Sequence, residues 1–180
     1  MVRERQPTLS KTRRKINLKT KQWVLNAIVG ALYVVITLVI APLGFGAIQI
    51  RLSEMLNHLV TFDKKYAYGI GIGVIIANVI LSPFGVYDWV LGGGHTIVSF
   101  IVVIFLTRNM TSIKKKMIIN TIVFSIFTFM IAFLLLIIGA EKVFWITYLS
   151  LIISQFVTMA IGIPLMLYLD SKINFRQQMK

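Results

Sequence analysis

Among 180 residues only six are acidic, and two of these, Glu54 and Asp88, stand within or at the edge of long apolar runs. Glu54 lies in the stretch Gln49-Ile-Arg51-Leu-Ser-Glu54, with His58 four residues on. An ionisable side chain in such a setting costs about 2.5–3.5 kcal/mol on membrane-insertion scales, so each needs a partner or a ligand. Arg51, Glu54 and His58 are spaced i, i+3 and i+7, which at 100° per residue puts them on one narrow arc of an α-helix. A carboxylate only accepts hydrogen bonds, a guanidinium only donates, and an amide does both. A set of this kind can read the polar edge of a small molecule. The plainer alternative is an Arg51–Glu54 bridge that is purely structural.

Other chemistries are excluded by residue type or spacing. The chain has no cysteine, which removes disulfides, zinc-thiolate centres and thiol nucleophiles. It has no GxxxxGK[ST] phosphate loop and cannot be its own ATPase. His58, His95 and Asp88 lack the spacing of a metal site, so neither a metal nor a catalytic constellation is expected. Gly69, Gly71 and Gly73 have the wrong spacing for a dinucleotide loop; Gly69 and Gly73 form a GxxxG pair suited to close helix packing. The triplet Gly92–Gly94 before His95 is a place where a helix can unwind and free backbone groups for a ligand.

The elements that must position these residues follow from composition. With 57% hydrophobic and 14% charged residues, the chain departs from the roughly 45–50% and 25% of soluble domains, and a mean hydropathy of +0.83 points to an integral membrane protein. Uncharged stretches at 22–50, 66–87, 117–140 and 143–169 are long enough to span as helices, 89–107 is just long enough, and 46–62 is interrupted by Arg51 and Glu54. The net charge of +13 decides whether that interrupted segment spans. With six spans and a cytoplasmic N-terminus, all of the 19 basic residues except Arg51 and Lys142 fall on the inner side. Removing the second span scatters them to both sides. We therefore expect an all-α fold of six transmembrane helices with both termini cytoplasmic: a basic tail over 1–21, a helical domain over 22–170 and a C-terminal tail over 171–180. The tail is expected against anionic lipid rather than nucleic acid, because its charges flank the membrane instead of covering a folded face. The long apolar run after it lacks a cleavage site and is read as a retained helix.

This topology gathers the polar residues in one layer. Gln49, Arg51 and Glu54 fall in the outer part of the second span, Asn78 near the outer end of the third, and Asp88 at the outer start of the fourth with His95 two turns deeper. Trp145 and Tyr148 open the sixth at the same level. Such a layer suits a small-molecule site open to the outside, although Trp89 and Trp145 also fit the interfacial belt, and Asp88 also fits a helix cap.

The stretch Phe45-Gly-Ala-Ile-Gln-Ile-Arg-Leu-Ser-Glu-Met-Leu56, followed by Ile76-Ala-Asn78 and Pro83-Phe-Gly-Val-Tyr-Asp88, resembles the QueT family over nearly the whole chain. That family comprises substrate-binding (S) components of energy-coupling factor transporters, assigned to uptake of queuosine precursors. The resemblance implies a cell-membrane subunit with no cofactor and no enzyme activity of its own. It would bind a 7-deazaguanine on its outer side and dock on a transmembrane coupling subunit driven by two ATPases. Ala27 and Ala31 resemble the motif for that docking. On this reading Glu54 accepts from N1–H and the 2-amino group, Arg51, Gln49 or Asn78 donates to O6, Trp145 or Tyr148 stacks on the ring, and Asp88 meets an aminomethyl group. His95 is included in the site on its depth alone. The competing readings are an S component for another flat vitamin or purine, an intramembrane enzyme and a structural membrane protein.

Overall fold

The computed structural model describes residues 8–41 and 51–180; Gln49 and the end of the first expected span lie outside them. Every regular element among the described residues is helical. In chain order these are α1 (Thr8–Val39), a 3-10 turn (Leu52–His58) running into α2 (Leu59–Phe62), α3 (Tyr66–Leu81), α4 (Val86–Thr107), α5 (Ile113–Phe127), α6 (Phe129–Ile137), α7 (Phe144–Ile173) and α8 (Phe175–Gln178).

Four helical stretches are long and apolar enough to cross a membrane: Leu18–Val39, Val86–Thr107, the α5–α6 pair over Ile113–Ile137, and Phe144–Ile173. Of the two others expected from sequence, one is a shorter apolar helix and the other is no continuous α-helix over its described residues. At 16 residues α3 rises about 24 Å, and it stops where Ser82 turns extended ahead of Pro83. The segment at 52–62 is a seven-residue 3-10 helix followed by one turn of α-helix. The outside of this bundle is apolar, with Trp23, Ile101, Trp145 and Ile153 more than 60% exposed, while its interior holds Glu54, Asp88, His58 and His95. This multi-pass membrane protein therefore keeps its polar side chains inside.

Glycine sets the closest packing. A Cβ on Gly30 of α1 would lie 2.7 Å from the Gly69 carbonyl oxygen of α3, and one on Gly73 would lie 2.8 Å from that of Gly30. Asn26 Oδ1 accepts from the Gly69 amide at 2.9 Å. The GxxxG pair is thus the packing surface its spacing predicts. Its partner is the Asn26–Gly30–Tyr33 face of α1, which leaves Ala27 and Ala31 exposed.

The boundary between α5 and α6 has a local cause. Thr121, Ser125 and Thr128 each donate their hydroxyl to a carbonyl three or four residues back, at 3.0, 2.8 and 2.6 Å. Successive back-bonding of this kind bends a helix. The expected unwinding at Gly92–Gly94 does not occur: α4 is continuous through all three.

Candidate functional site

The 3-10 turn is what shapes the site. In a 3-10 helix residues three apart eclipse, whereas residue i+4 turns about 120° away. Arg51, just ahead of the turn, Glu54 and Asn57 consequently share a side, and His58 points elsewhere. This corrects the single α-helical arc expected for Arg51, Glu54 and His58.

Glu54 is 2% exposed. Its Oε1 accepts from the Tyr33 hydroxyl of α1 at 2.7 Å. Its Oε2 accepts from Asn57 Nδ2, and from Gln155 Nε2 of α7 at 3.4 Å. Thr37 and Ser53 bond at 2.8 Å beside this group and tie the turn to α1. Glu54 is therefore buried among neutral donors.

Arg51 goes instead to Asp88, with Nη2 3.9 Å from Oδ2. Asp88 is 1% exposed and lies in the first turn of α4. Gly85 places it there: its φ of 57° opens the turn into α4, and its carbonyl accepts from the Asp88 amide at 3.1 Å. The expectation that Asp88 caps α4 is not met, because Gly85 occupies that position. Asn78 Nδ2 donates to the Asp88 carbonyl at 3.2 Å. A Cβ on Gly92 would collide with Asp88 Oδ1 and Asn78 Nδ2, so this first glycine of the triplet makes room for that pair. His95, one turn further along α4, donates from Nε2 to the Phe124 carbonyl at 3.2 Å, since a carbonyl only accepts.

Arg51 and His95 meet at a small cavity of about 20 Å³, lined also by Thr128, Ile131, Leu151 and Gln155. That volume fits about one water molecule. Thr128 reaches it from the bend between α5 and α6. Gln155 both lines the cavity and contacts Glu54, which links the two. The donors and acceptors around it suit a small polar molecule with hydrogen-bonding edges, provided the walls move apart to admit it. Among the described residues no group of His, Asp and Glu is arranged to hold a metal.

The structure thus brings together Arg51, Glu54, Asn78, Asp88 and His95. It does not bring Trp145 or Tyr148 to the cavity. Trp145 is 69% exposed; Tyr148 stacks on Phe144 and donates its hydroxyl to the Ile126 carbonyl at 2.9 Å. Tyr33, Asn57, Thr128 and Gln155 are site residues that sequence reasoning passed over. Gln155 carried a signal, as the lone amide midway along the uncharged run 143–169.

The QueT transporter family profile matches residues 23–171. A protein of Lactococcus lactis subsp. cremoris (strain MG1363), named queuosine precursor transporter QueT, is 33% identical over 165 residues, covering 87% of this chain and 96% of its own length. No solved structure gives a significant match.

Proposed function

Because the chain belongs to the QueT transporter family, we propose that it is the substrate-binding component of an energy-coupling factor importer for a queuosine precursor. In this reading the chain crosses the membrane six times with both termini in the cytoplasm. It binds a 7-deazaguanine base from outside and leaves ATP hydrolysis to two partner ATPases, reached through a coupling subunit docked on the exposed Ala27–Ala31 face of α1.

The observation that carries the substrate class is the Glu54 carboxylate, buried and bonded to neutral donors, with Gln155 linking it to the small cavity. The guanine-type edge offers two parallel donors, N1–H and the 2-amino group, and a carboxylate offers two parallel acceptors. A carboxylate has about four acceptor sites; Tyr33, Asn57 and Gln155 use three. A two-pronged ligand therefore displaces one, and the Gln155 contact, longest at 3.4 Å, is the one to yield. Once released, the Gln155 amide faces the cavity as a donor for O6, next to Arg51. Gln49 is retained as a further O6 donor on sequence grounds alone. Asp88, paired with Arg51, supplies a negative group for a precursor bearing a cationic aminomethyl arm.

A thermal-shift screen of the purified protein tests this reading. The probes are deazaguanine bases, guanine, adenine, riboflavin, thiamine and biotin. A ligand at 100 times its Kd stabilises the folded state by about 2.7 kcal/mol. Deazaguanines should raise the melting temperature and adenine should not, since unpaired buried groups reject the wrong edge by a factor of about 10⁴. A shift with a vitamin alone would retain a transporter and discard this substrate.

A further inference from the structure

At the lysine-rich end of the bundle, away from Glu54, a groove of about 920 Å³ runs across α3 between α1 and α4. Lys19, Lys64 and Lys65 border it, and its walls include Trp23, Tyr68 and Ile101. Gly71 lies in its lining, and a Cβ there meets nothing within 4 Å. Gly69 and Gly73, two residues to either side, are pressed against α1. The one glycine of the three that helix packing does not explain is therefore the one that opens the groove.

The charge at this end is directed. Lys65 Nζ donates to the Met179 carbonyl at 3.0 Å, as does Gln22 Nε2 at 2.7 Å. Among the described residues, neither Lys19 nor Lys64 forms an ion pair; the pair found is Arg51–Asp88. Trp23 and Tyr68 are each 66% exposed, and aromatic rings with a polar edge are favoured at the headgroup level of a membrane. Cations at one end of an apolar trough match an amphiphile with an anionic head and a hydrocarbon tail.

We propose that this groove binds one anionic phospholipid, its phosphate held by Lys19 and Lys64 and an acyl chain lying over Gly71 between α1 and α4. A zwitterionic lipid brings the same chain with a cation of its own, which opposes the lysines. The inference rests on the groove alone and stands whichever base the protein binds.

Native mass spectrometry of the full chain in detergent, titrated with dioleoyl phosphatidylglycerol or dioleoyl phosphatidylcholine, tests it. The wild type should retain a single phosphatidylglycerol in preference to phosphatidylcholine by more than tenfold. A lysine near a membrane surface contributes about fivefold to anionic-lipid binding, so the double variant Lys19→Ala/Lys64→Ala should lose roughly 25-fold for phosphatidylglycerol and little for phosphatidylcholine. Gly71→Leu, which fills the groove and improves helix propensity, should weaken both lipids. Deazaguanine-induced melting shifts, measured on the same variants, report folding separately and are expected to persist. Equal retention of the two lipids by the wild type, undiminished binding by Gly71→Leu, or displacement of the lipid by millimolar inorganic phosphate would each overturn the proposal.

Discussion

The short segment from Leu52 to Phe62 carries two polar clusters one turn apart, and they are partnered in opposite ways. His58, fully buried, donates from Nε2 to the Met159 carbonyl at 2.9 Å, which leaves Nδ1 to accept from Asn120 Nδ2 at 3.1 Å. Both ring nitrogens are satisfied, and Gly162 of α7 closes against the ring, with room for a Cβ only 3.2 Å from Cδ2. Glu54 has neutral donors bonded to it, one long contact through Gln155, and a cavity beyond that contact. A neutral group with every bond made is structural. In the proposed reading, a carboxylate with an exchangeable bond beside a space changes partners when a ligand enters.

The largest expected effect breaks the first half of that comparison. His58→Ala removes a buried ring and strands the Met159 carbonyl and the Asn120 amide, so unfolding stability should fall by about 3 kcal/mol. Deazaguanine affinity of the protein that remains folded should stay within about threefold. Thermal melting and equilibrium binding, run side by side, separate the two quantities. An affinity loss without a change in melting would move His58 into the ligand site and erase the contrast.

Glu54→Gln attacks the other half. The amide keeps the size of the side chain but replaces one acceptor oxygen with a donor, opposing one of the two ligand donors. Deazaguanine binding should weaken about 100-fold, or about 2.8 kcal/mol, and melting of the ligand-free protein is measured beside it, because the new amide N–H₂ also faces the Tyr33, Asn57 or Gln155 donors. Calorimetric or fluorescence titration measures the binding. Unaltered binding would show that Tyr33, Asn57 and Gln155 are the whole purpose of the carboxylate, and Glu54 would join His58 as a structural group.

How much of this was legible beforehand depended on cost. Arg51, Glu54 and Asp88 stood out because a charge in an apolar run is expensive. Tyr33, Asn57 and Thr128 did not, because neutral polar residues cost little in a helix and occur in it for many reasons. The 3-10 turn was hidden for a different reason. Leu52–His58 has no residue that forbids an α-helix, so the tighter winding comes from its tertiary contacts, including the bonds of Ser53 to Thr37 and Glu54 to Tyr33. The same holds for Gly92: its role depends on the Asp88 and Asn78 side chains converging on it, and the triplet alone looked like a place to unwind.

The aromatic residues mark where composition stops discriminating, and they give the smallest predicted effect. A tryptophan at a helix start is equally at home stacking on a base or sitting at the lipid interface. Trp145 packs against Phe144 with its ring centroid 5.2 Å away, and 69% of it remains exposed. That placement keeps it off the cavity and suits the interface. Trp145→Leu should change deazaguanine affinity by less than about twofold, and retain the apolar surface that lipid covers. The contrast with Glu54→Gln is the point of the measurement, since both residues were assigned to one layer by depth. A tenfold loss would mean that the ring swings inward when the cavity opens, and that the ligand-bound site extends beyond the residues now lining it.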